Sequence, residues 1–364
     1  VTSIKEKKKG FEVSDFFETF RRVRGKSLTV FSRQFSTMVS AGLSLVRALD
    51  VLERQTDDKK LKNVIADVRR RVEGGSSLSE AFETHPTVFS ELYANLTRAG
   101  EVGGVLDETL ARVAEFLEKD QALRAKVKSA VTYPIAILCF AVGVVIFLVY
   151  FVIPTFVQIF SGMNLRLPVT TQMLVSLSHF MRSYPLFILA GIVAVVVSVK
   201  LYLGTPRGKM QYHRMLFRVP VFGALTSKVT ISRFTRTLGT LLRSGVPVMQ
   251  AMEVTGRASG NLVVEKAVDQ VRESLREGEN ISEPMEKSGI FPPMVTQMIA
   301  VGEETGSLDT MLTKISDFYD VEVEATLEAL TSLIEPIMIV FVGIVVGFIL
   351  ISMFLPMVQL INAL

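Results

Sequence analysis

Three long apolar stretches divide the chain, and an amphipathic region precedes the first and the third. The stretches are Pro134 to Ile153, Leu186 to Leu203 and Pro336 to Leu355, and the first and third contain no Asp, Glu, Lys, Arg or His. About 20 helical residues cross a bilayer core about 30 Å thick. The pattern therefore predicts three transmembrane helices, at 133–154, 186–203 and 336–356. Buried helices of a soluble protein are the alternative, and charge-free runs of this length argue against it.

The amphipathic regions, 27–132 and 204–335, carry apolar residues at helical spacing. One stripe comprises Leu61, Val64, Ile65, Val68 and Val72, and the other Val264, Ala267, Val268, Val271 and Leu275. Spacing at i, i+3, i+4 and i+7 predicts amphipathic helices, and strand-type alternation is missing. Ser27 and Asp57 are candidate N-caps, and Ser77 with Glu80 forms a possible capping box. Both regions are predicted to be cytoplasmic helical bundles.

The two amphipathic regions are copies of one another. Residues 31–49 read FSRQFSTMVSAGLSLVRAL and residues 234–252 read FTRTLGTLLRSGVPVMQAM. GEVGGVLD from Gly100 to Asp107 corresponds to GEETGSLD from Gly302 to Asp309. Prolines mark the membrane boundaries in both copies: Pro134 and Pro336 open a span, and Pro154 and Pro356 close one. The repeat unit is a bundle followed by a span, while the second span only returns the chain to the side of the first bundle.

Basic residues are distributed unevenly around the three predicted spans. Four precede the first span and five accompany or follow the second, at Lys119, Arg124, Lys126, Lys128, Lys200, Arg207, Lys209, Arg214 and Arg218. The intervening loop carries only Arg166 and Arg182. The positive-inside rule predicts a cytoplasmic N-terminus and cytoplasmic bundles. Residues 155–185 then form a periplasmic loop, 357–364 a periplasmic tail, and 1–26 a basic N-terminal tether rather than a signal peptide.

Composition and motifs give no support for enzymatic chemistry. The 364 residues carry a net charge of +4 and a single cysteine, Cys139, within an apolar run. His85, His179 and His213 have no partner spacing for metal binding or catalysis. GTPRGKM, from Gly204, departs from the phosphate-loop pattern. We predict no catalytic residue, no cofactor, no metal and no direct contact with nucleic acid.

Several glycines and acidic residues remain as candidate structural or contact sites. Gly42 and Gly245 lie between helical stripes, where a left-handed backbone ends a helix. In the duplicated motif, Gly100 and Gly104, like Gly302 and Gly306, are expected to form turns. Its acids, Glu101, Asp107, Glu303 and Asp309, either favour the positive N-terminal end of the next helix, bind a metal, or contact a partner. Gly343 and Gly347 form a small-residue motif for helix packing in lipid.

The duplicated segments, together with LPVTTQMLVSLS at 167–178 and VPVFGAL at 219–225, resemble the type II secretion F-domain family. These are inner-membrane platform proteins of type IV pilus assembly and type II secretion. The resemblance implies six-helix cytoplasmic bundles in an all-α membrane protein without enzyme activity. It also implies a homo-oligomer in the lipid bilayer of the bacterial inner membrane.

The same resemblance implies the partners and the mechanism. They are a hexameric cytoplasmic pilus-assembly or secretion ATPase, major and minor pilins or pseudopilins, and inner-membrane alignment-complex proteins. The protein would couple motion of the ATPase to extraction and polymerisation of pilins. A polytopic transporter or permease subunit is the alternative, and it would require polar groups or broken helices within the spans.

Overall fold

The computed structural model describes residues 23–161, 168–220 and 222–363, and contains no strand within these ranges. Most of the predicted tether at 1–26, including the lysines from Lys5 to Lys9, lies outside the described residues. The prediction of an all-α protein with two repeated domains is confirmed.

The first bundle contains six helical segments. Its helices are α1 (Gly25–Ser40), α2 (Leu45–Gln55), α3 (Lys59–Glu73), α4 (Leu78–Glu83), α5 (Glu91–Gly103) and the first part of α6 (Leu106–Phe147). A π-helical turn, Leu148–Val152, continues α6 into α7 (Ile153–Ser161). A single helical path therefore leads from the bundle into the first apolar stretch.

The second apolar stretch is framed by shorter helices. These are α8 (Val169–Ser183), α9 (Pro185–Gly204), which contains the second stretch, and α10 (Pro206–Arg218). The second bundle follows, with α11 (Phe222–Arg243), α12 (Val248–Ala258), α13 (Leu262–Arg276), α14 (Ser282–Lys287), α15 (Pro293–Thr305) and the start of α16 (Leu308–Ala363). It repeats the order and proportions of the first bundle.

In the described part of the chain, three helices are long and apolar enough to cross a membrane: Leu106–Val157, Pro185–Gly204 and Leu308–Pro356. The best windows have mean hydropathies of 3.0, 2.5 and 3.0. Helix α16 alone comprises 56 residues, whereas about 20 suffice to cross a bilayer. Such a helix is long enough to serve both a bundle and a membrane span.

The chain forms two compact units. One contains the described residues up to Arg124 together with Lys228–Val321, and therefore holds both bundles. The other contains Ala125–Ser227 and Glu322–Leu364. The region 204–335, predicted as the second bundle, contributes residues 228–321 to the first unit, while 204–227 and 322–335 lie in the second. Helix α10 folds back against α9, where the Tyr202 hydroxyl donates to Gln211.

The apolar stripes identified in the sequence form the cores of the bundles. Leu61, Ile65 and Val68 are buried in the first bundle, as are Val264, Val268 and Val271 in the second. Aromatic rings add to the first core, and their contacts link Phe31, Phe35, Phe82, Phe89 and Tyr93. Burial raises the pKa of the Tyr93 phenol, whose oxygen pairs with the Ser32 hydroxyl. Each copy thus has its own apolar interior.

The helix starts agree only in part with the predicted caps. Ser77 and Glu80 form the capping box at α4. Asp58, rather than Asp57, accepts hydrogen bonds from the amides that begin α3. Ser27 lies inside α1, whose N-cap residue is Arg24. At α3 the adjacent acids Asp57 and Asp58 satisfy the same sequence rule, and the chain path selects the second. At α1 the helix begins at Gly25, two residues before Ser27, and its N-cap makes no side-chain hydrogen bond.

The prolines lie within helical segments. Pro134, Pro336 and Pro356 are inside α6 and α16, and Pro154 is the second residue of α7, directly after the π-helical turn. Proline lacks the N–H of the α-helical ladder, and a local π-helical adjustment can satisfy the freed carbonyl. The prolines therefore do not end the helices at the predicted membrane boundaries.

Candidate functional site

The duplicated acidic motif has the same backbone geometry in both bundles. Gly104 and Gly306 end α5 and α15 with φ of 68° and 67°. The next amide donates back to Gly100 O or Gly302 O, at 2.9 Å in each copy. A left-handed residue here closes the helix and turns the chain into the long helix that follows. Glycine avoids the strain that a side chain would suffer at this φ.

The first glycine of each motif permits close approach. A Cβ on Gly100 would collide with the Thr109 side chain, and one on Gly302 would lie 2.9 Å from Leu308 Cα. Both positions are buried at the corner where α5 meets α6 and α15 meets α16. The two glycines of each motif thus have separate tasks, one in packing and one in the turn.

The motif glutamate caps a different helix from the one predicted. Glu101 accepts from the amides of Leu78 and Ser79 and from the Ser79 hydroxyl, at the start of α4. Glu303 accepts from the amides of Ile281 and Ser282, at the start of α14. A carboxylate at a helix N-terminus satisfies free N–H groups and opposes the helix dipole. The glutamate therefore links α5 to α4, and α15 to α14.

The motif aspartates lie at the starts of the two long helices. Asp107 and Asp309 lie in the first turns of α6 and α16. In the described residues, no group of three or more His, Cys, Asp or Glu side chains is placed to hold a metal ion. Both carboxylate oxygens of Glu101 already accept hydrogen bonds within the protein. These hydrogen bonds give the Glu101 carboxylate an architectural role.

We expect Glu101→Gln to destabilise the first bundle by about 1 kcal/mol, because an amide loses the charge and turns one donor toward a backbone N–H. Hydrogen exchange of the full-length protein should show faster exchange in α4 while α13 remains unchanged. Glu304→Gln is the matched control, since Glu304 is exposed next to Glu303 in the second copy. Equal protection of α4 in Glu101→Gln and wild type would contradict the capping role.

Gly42 and Gly245 occupy equivalent turns with φ of 84° and 80°. The amides of Leu43 and Val246 donate to carbonyls at the ends of α1 and α11. A Cβ on either glycine would meet nothing within 4 Å. The requirement at both positions is therefore backbone conformation rather than space.

A repeated ion pair joins the first and last helices of each bundle, and sequence analysis missed it. Arg33 on α1 forms a bidentate pair with Glu118 on α6. The bond from Arg33 lowers the pKa of Glu118. In the second copy Arg236 pairs with Asp320. The signal was available, because Glu118 and Asp320 are 202 residues apart, like Gly100 and Gly302.

The two copies of this pair differ in burial. The Arg33 side chain is 43% exposed, whereas that of Arg236 is 6% exposed. Arg236 also donates to the hydroxyls of Ser232 and Ser316, at 3.1 and 3.2 Å. The pair in the second bundle is thus part of a buried polar network, while the pair in the first remains in contact with solvent.

Polar contacts join the two bundles within their common unit. Gln250 on α12 donates to Asn95 on α5 at 2.7 Å, and Arg257 pairs with Glu91 at 3.0 Å. Arg112 on α6 donates to the Arg243 carbonyl oxygen at the end of α11. Two contact regions on separate helices hold the bundles together. We call this set of contacts, with the Asp120 contacts below, the joint.

Asp120 is the most enclosed carboxylate of the joint. It accepts from Arg124 at 2.7 Å and pairs with Arg233 on α11 at 3.2 Å. Burial lowers the pKa of the Arg233 guanidinium, while the charge of Asp120 raises it. The Nε of Arg233 is buried without a hydrogen-bond partner. Asp120 therefore offsets much of the cost of burying this cation between the bundles.

A groove follows the joint between α6, α11 and α16. Its lining includes four cations, Arg112, Lys119, Arg236 and Arg243. Each is already paired: Arg112 with Glu108, Lys119 with Asp317, Arg236 with Asp320 and Arg243 with Asp309. Internal pairing of this kind is typical of a structural joint rather than of a site for a free anion.

Nothing among the residues that the structure describes lies close to the membrane-span glycines. A Cβ on Gly343 or Gly347 would meet nothing within 4 Å. At these two glycines, therefore, no other described helix packs closely against α16, which contacts Thr171 further along, at Ser352.

Comparison with known families matches both copies to one family model, type II secretion system (T2SS) protein F, over residues 31–154 and 234–356. The chain belongs to the T2SS protein F family. Both matched regions begin in the first helix of a bundle and end near the end of a predicted span. The family domain therefore coincides with the repeat unit, and the resemblance seen in the sequence is confirmed.

Similar T2SS protein F family members cover nearly the whole chain. A type IV pilus assembly protein PilC from Myxococcus xanthus is 47% identical over 94% of this chain and 82% of its own length. One from Thermus thermophilus is 44% identical over 100% of this chain and 90% of its own length. A type II secretion system protein F from Xanthomonas campestris is 34% identical over 93% of this chain and 83% of its own length.

Proposed function

We propose that this chain is a non-enzymatic inner-membrane platform of a type IV pilus or type II secretion machine. It couples a cytoplasmic hexameric ATPase to extraction and polymerisation of pilins or pseudopilins. The observation that carries the proposal is the family match of both copies, together with pilus-assembly relatives that cover the chain. Both bundles then face the cytoplasm, as the basic residues flanking the spans suggest.

Helix continuity supports mechanical coupling. The helical path from Leu106 to Val157 and the 56 residues of α16 each begin in a bundle and include an apolar stretch long enough to span. A continuous helix resists bending far better than a loop, so rotation at its bundle end is transmitted along it. The family finding also argues against the permease alternative, which would require polar groups or broken helices at mid-membrane.

Insertion of four glycines after Lys126 tests this coupling. Each glycine costs about 1 kcal/mol relative to alanine in a helix, so the insertion interrupts α6 beyond its bundle segment. In a host whose own gene is deleted, we expect normal protein levels and the loss of surface pili or of secretion, measured by electron microscopy or substrate release.

The control is the same insertion after Gly278, in the exposed turn between α13 and α14. It adds equal length and flexibility without interrupting a long helix, so assembly should continue. Normal assembly with the α6 insertion would rule out transmission through a rigid helix.

A further inference from the structure

Helix α8 has three distinct faces. Thr171, Leu174 and Ser178 are buried. A second set is apolar and exposed, from 46% for Leu177 to 72% for Val169, and comprises Val169, Met173, Leu177 and Phe180. A third set is polar and exposed, and comprises Gln172, Ser176, His179 and Ser183. At 100° per residue, the apolar and polar stripes lie roughly 90° apart around the helix.

The buried face attaches α8 to the apolar stretches. The Thr171 hydroxyl donates to the Ser352 carbonyl oxygen of α16. Leu174 packs in a cluster with Val149, Ile153 and Ile349. The Arg182 guanidinium lies 5.0 Å from the centre of the Tyr150 ring. Each of these partners belongs to the first or third apolar stretch, within its last turns. The attachment therefore fixes α8 at the depth of the span ends, on the side of residues 155–185.

The exposed apolar stripe continues onto α9. Phe180 contacts the Tyr184 ring at 5.8 Å between centroids, and Tyr184 contacts Phe187 at 5.9 Å. Helix α9 buries none of its residues. Acyl chains therefore surround α9 if it spans, and they meet the same continuous surface along α8. Aromatic residues at such a junction are typical of the bilayer interface.

We propose that α8 is an interfacial helix whose Val169–Met173–Leu177–Phe180 stripe is embedded in the acyl-chain boundary of the bilayer. Its polar stripe faces the headgroups and water. Amphipathic helices adopt this position because burial of the apolar face offsets the loss of motion. No acidic residue occurs from 168 to 203, so insertion meets no carboxylate. The proposal requires that the three apolar helices span the bilayer, and it is independent of the proposed pilus function.

Within the region 155–185, α8 then helps to anchor the protein in the membrane, in addition to connecting the first two spans. The helix braces the first and third spans through Thr171 and Leu174, and lipid holds its outer side. This also gives residues 168–178 of the LPVTTQMLVSLS motif a physical task, because Thr171, Leu174 and Ser178 form the buried surface while Val169, Met173 and Leu177 form the lipid-facing one.

The test uses full-length protein with Cys139→Ser, reconstituted in phosphatidylethanolamine–phosphatidylglycerol vesicles. Single cysteines replace Met173 or Leu177 on the apolar stripe, and Ser176 or His179 on the polar stripe, and carry the environment-sensitive fluorophore NBD. Nitroxide-labelled acyl chains quench NBD by contact. We expect blue-shifted emission and about threefold stronger quenching on the apolar stripe, because only that stripe reaches the acyl chains.

Leu189→Cys on α9 provides the reference for a label in contact with lipid, and Arg54→Cys on α2 the reference for a label in water. Both side chains are exposed, Leu189 on an apolar surface and Arg54 on a charged one. Two positions per stripe keep the test independent of any one variant that folds poorly. Weak quenching at both stripes would overturn the proposal. So would blue-shifted emission on the apolar stripe without quenching, since protein rather than lipid would then cover it.

Discussion

Asp320→Asn is expected to destabilise the second bundle by about 3–5 kcal/mol, because it leaves a buried cation without its carboxylate. Arg236 is 6% exposed, so water cannot readily replace the lost charge. The hydroxyls of Ser232 and Ser316 would still accept from the guanidinium, but neither carries charge. The free energy of opening of α11, measured by native-state hydrogen exchange in nanodiscs, provides the comparison.

Glu118→Gln is the matched control from the first copy. Glu118 and Arg33 are 41% and 43% exposed, and exposed pairs contribute about 0–1 kcal/mol. The same chemical change at equivalent positions should therefore produce a several-fold smaller loss. Similar losses in the two bundles would show that burial does not determine the contribution of this repeated pair.

We expect Asp120→Asn to loosen the joint by about 2 kcal/mol while both bundles remain folded. Asp120 is 13% exposed, and the Arg233 it neutralises is 23% exposed. The expected loss is below that of a fully buried pair because both side chains keep some contact with water. Hydrogen exchange should increase where α5 meets α12, while the core amides of α3 and α13 keep their protection.

Asp317→Asn is the control for the joint. Asp317 pairs with Lys119 across the same two bundles at 3.4 Å, but its side chain is 58% exposed. Its loss should change the opening free energy by less than about 1 kcal/mol. If Asp120→Asn also reduces pilus assembly at normal protein levels while Asp317→Asn does not, a tight joint is required for coupling. If hydrogen exchange is unchanged in Asp120→Asn, Asp120 does not stabilise the joint.

The contrast between the two ion pairs shows how duplication and assembly act together. The repeat supplied an arginine and an acid at equivalent positions in each copy. Contact between the bundles then helped to enclose the second pair, since Arg236 lines the groove together with α6 of the first copy. The equivalent ion pairs are thus expected to contribute different free energies to the stability of their bundles, because their surroundings differ.

The sequence by itself determined the elements of this protein. Apolar runs specified the candidate spans, helical stripes specified the bundle cores, and self-comparison specified the repeat. Glycine requirements at positions such as Gly104 were also visible, because a positive φ is a local property of one residue. These features depend on composition and on spacing within a few turns, which a single chain displays directly.

Only the tertiary structure decided which side chains meet. Glu101 caps α4 rather than the helix that follows it, because the fold brings the end of α5 beside the start of α4. Asp120 meets Arg233, and Thr171 meets Ser352, across more than 100 residues of sequence. Such contacts depend on how helices pack, and periodicity along one helix carries no information about the position of another.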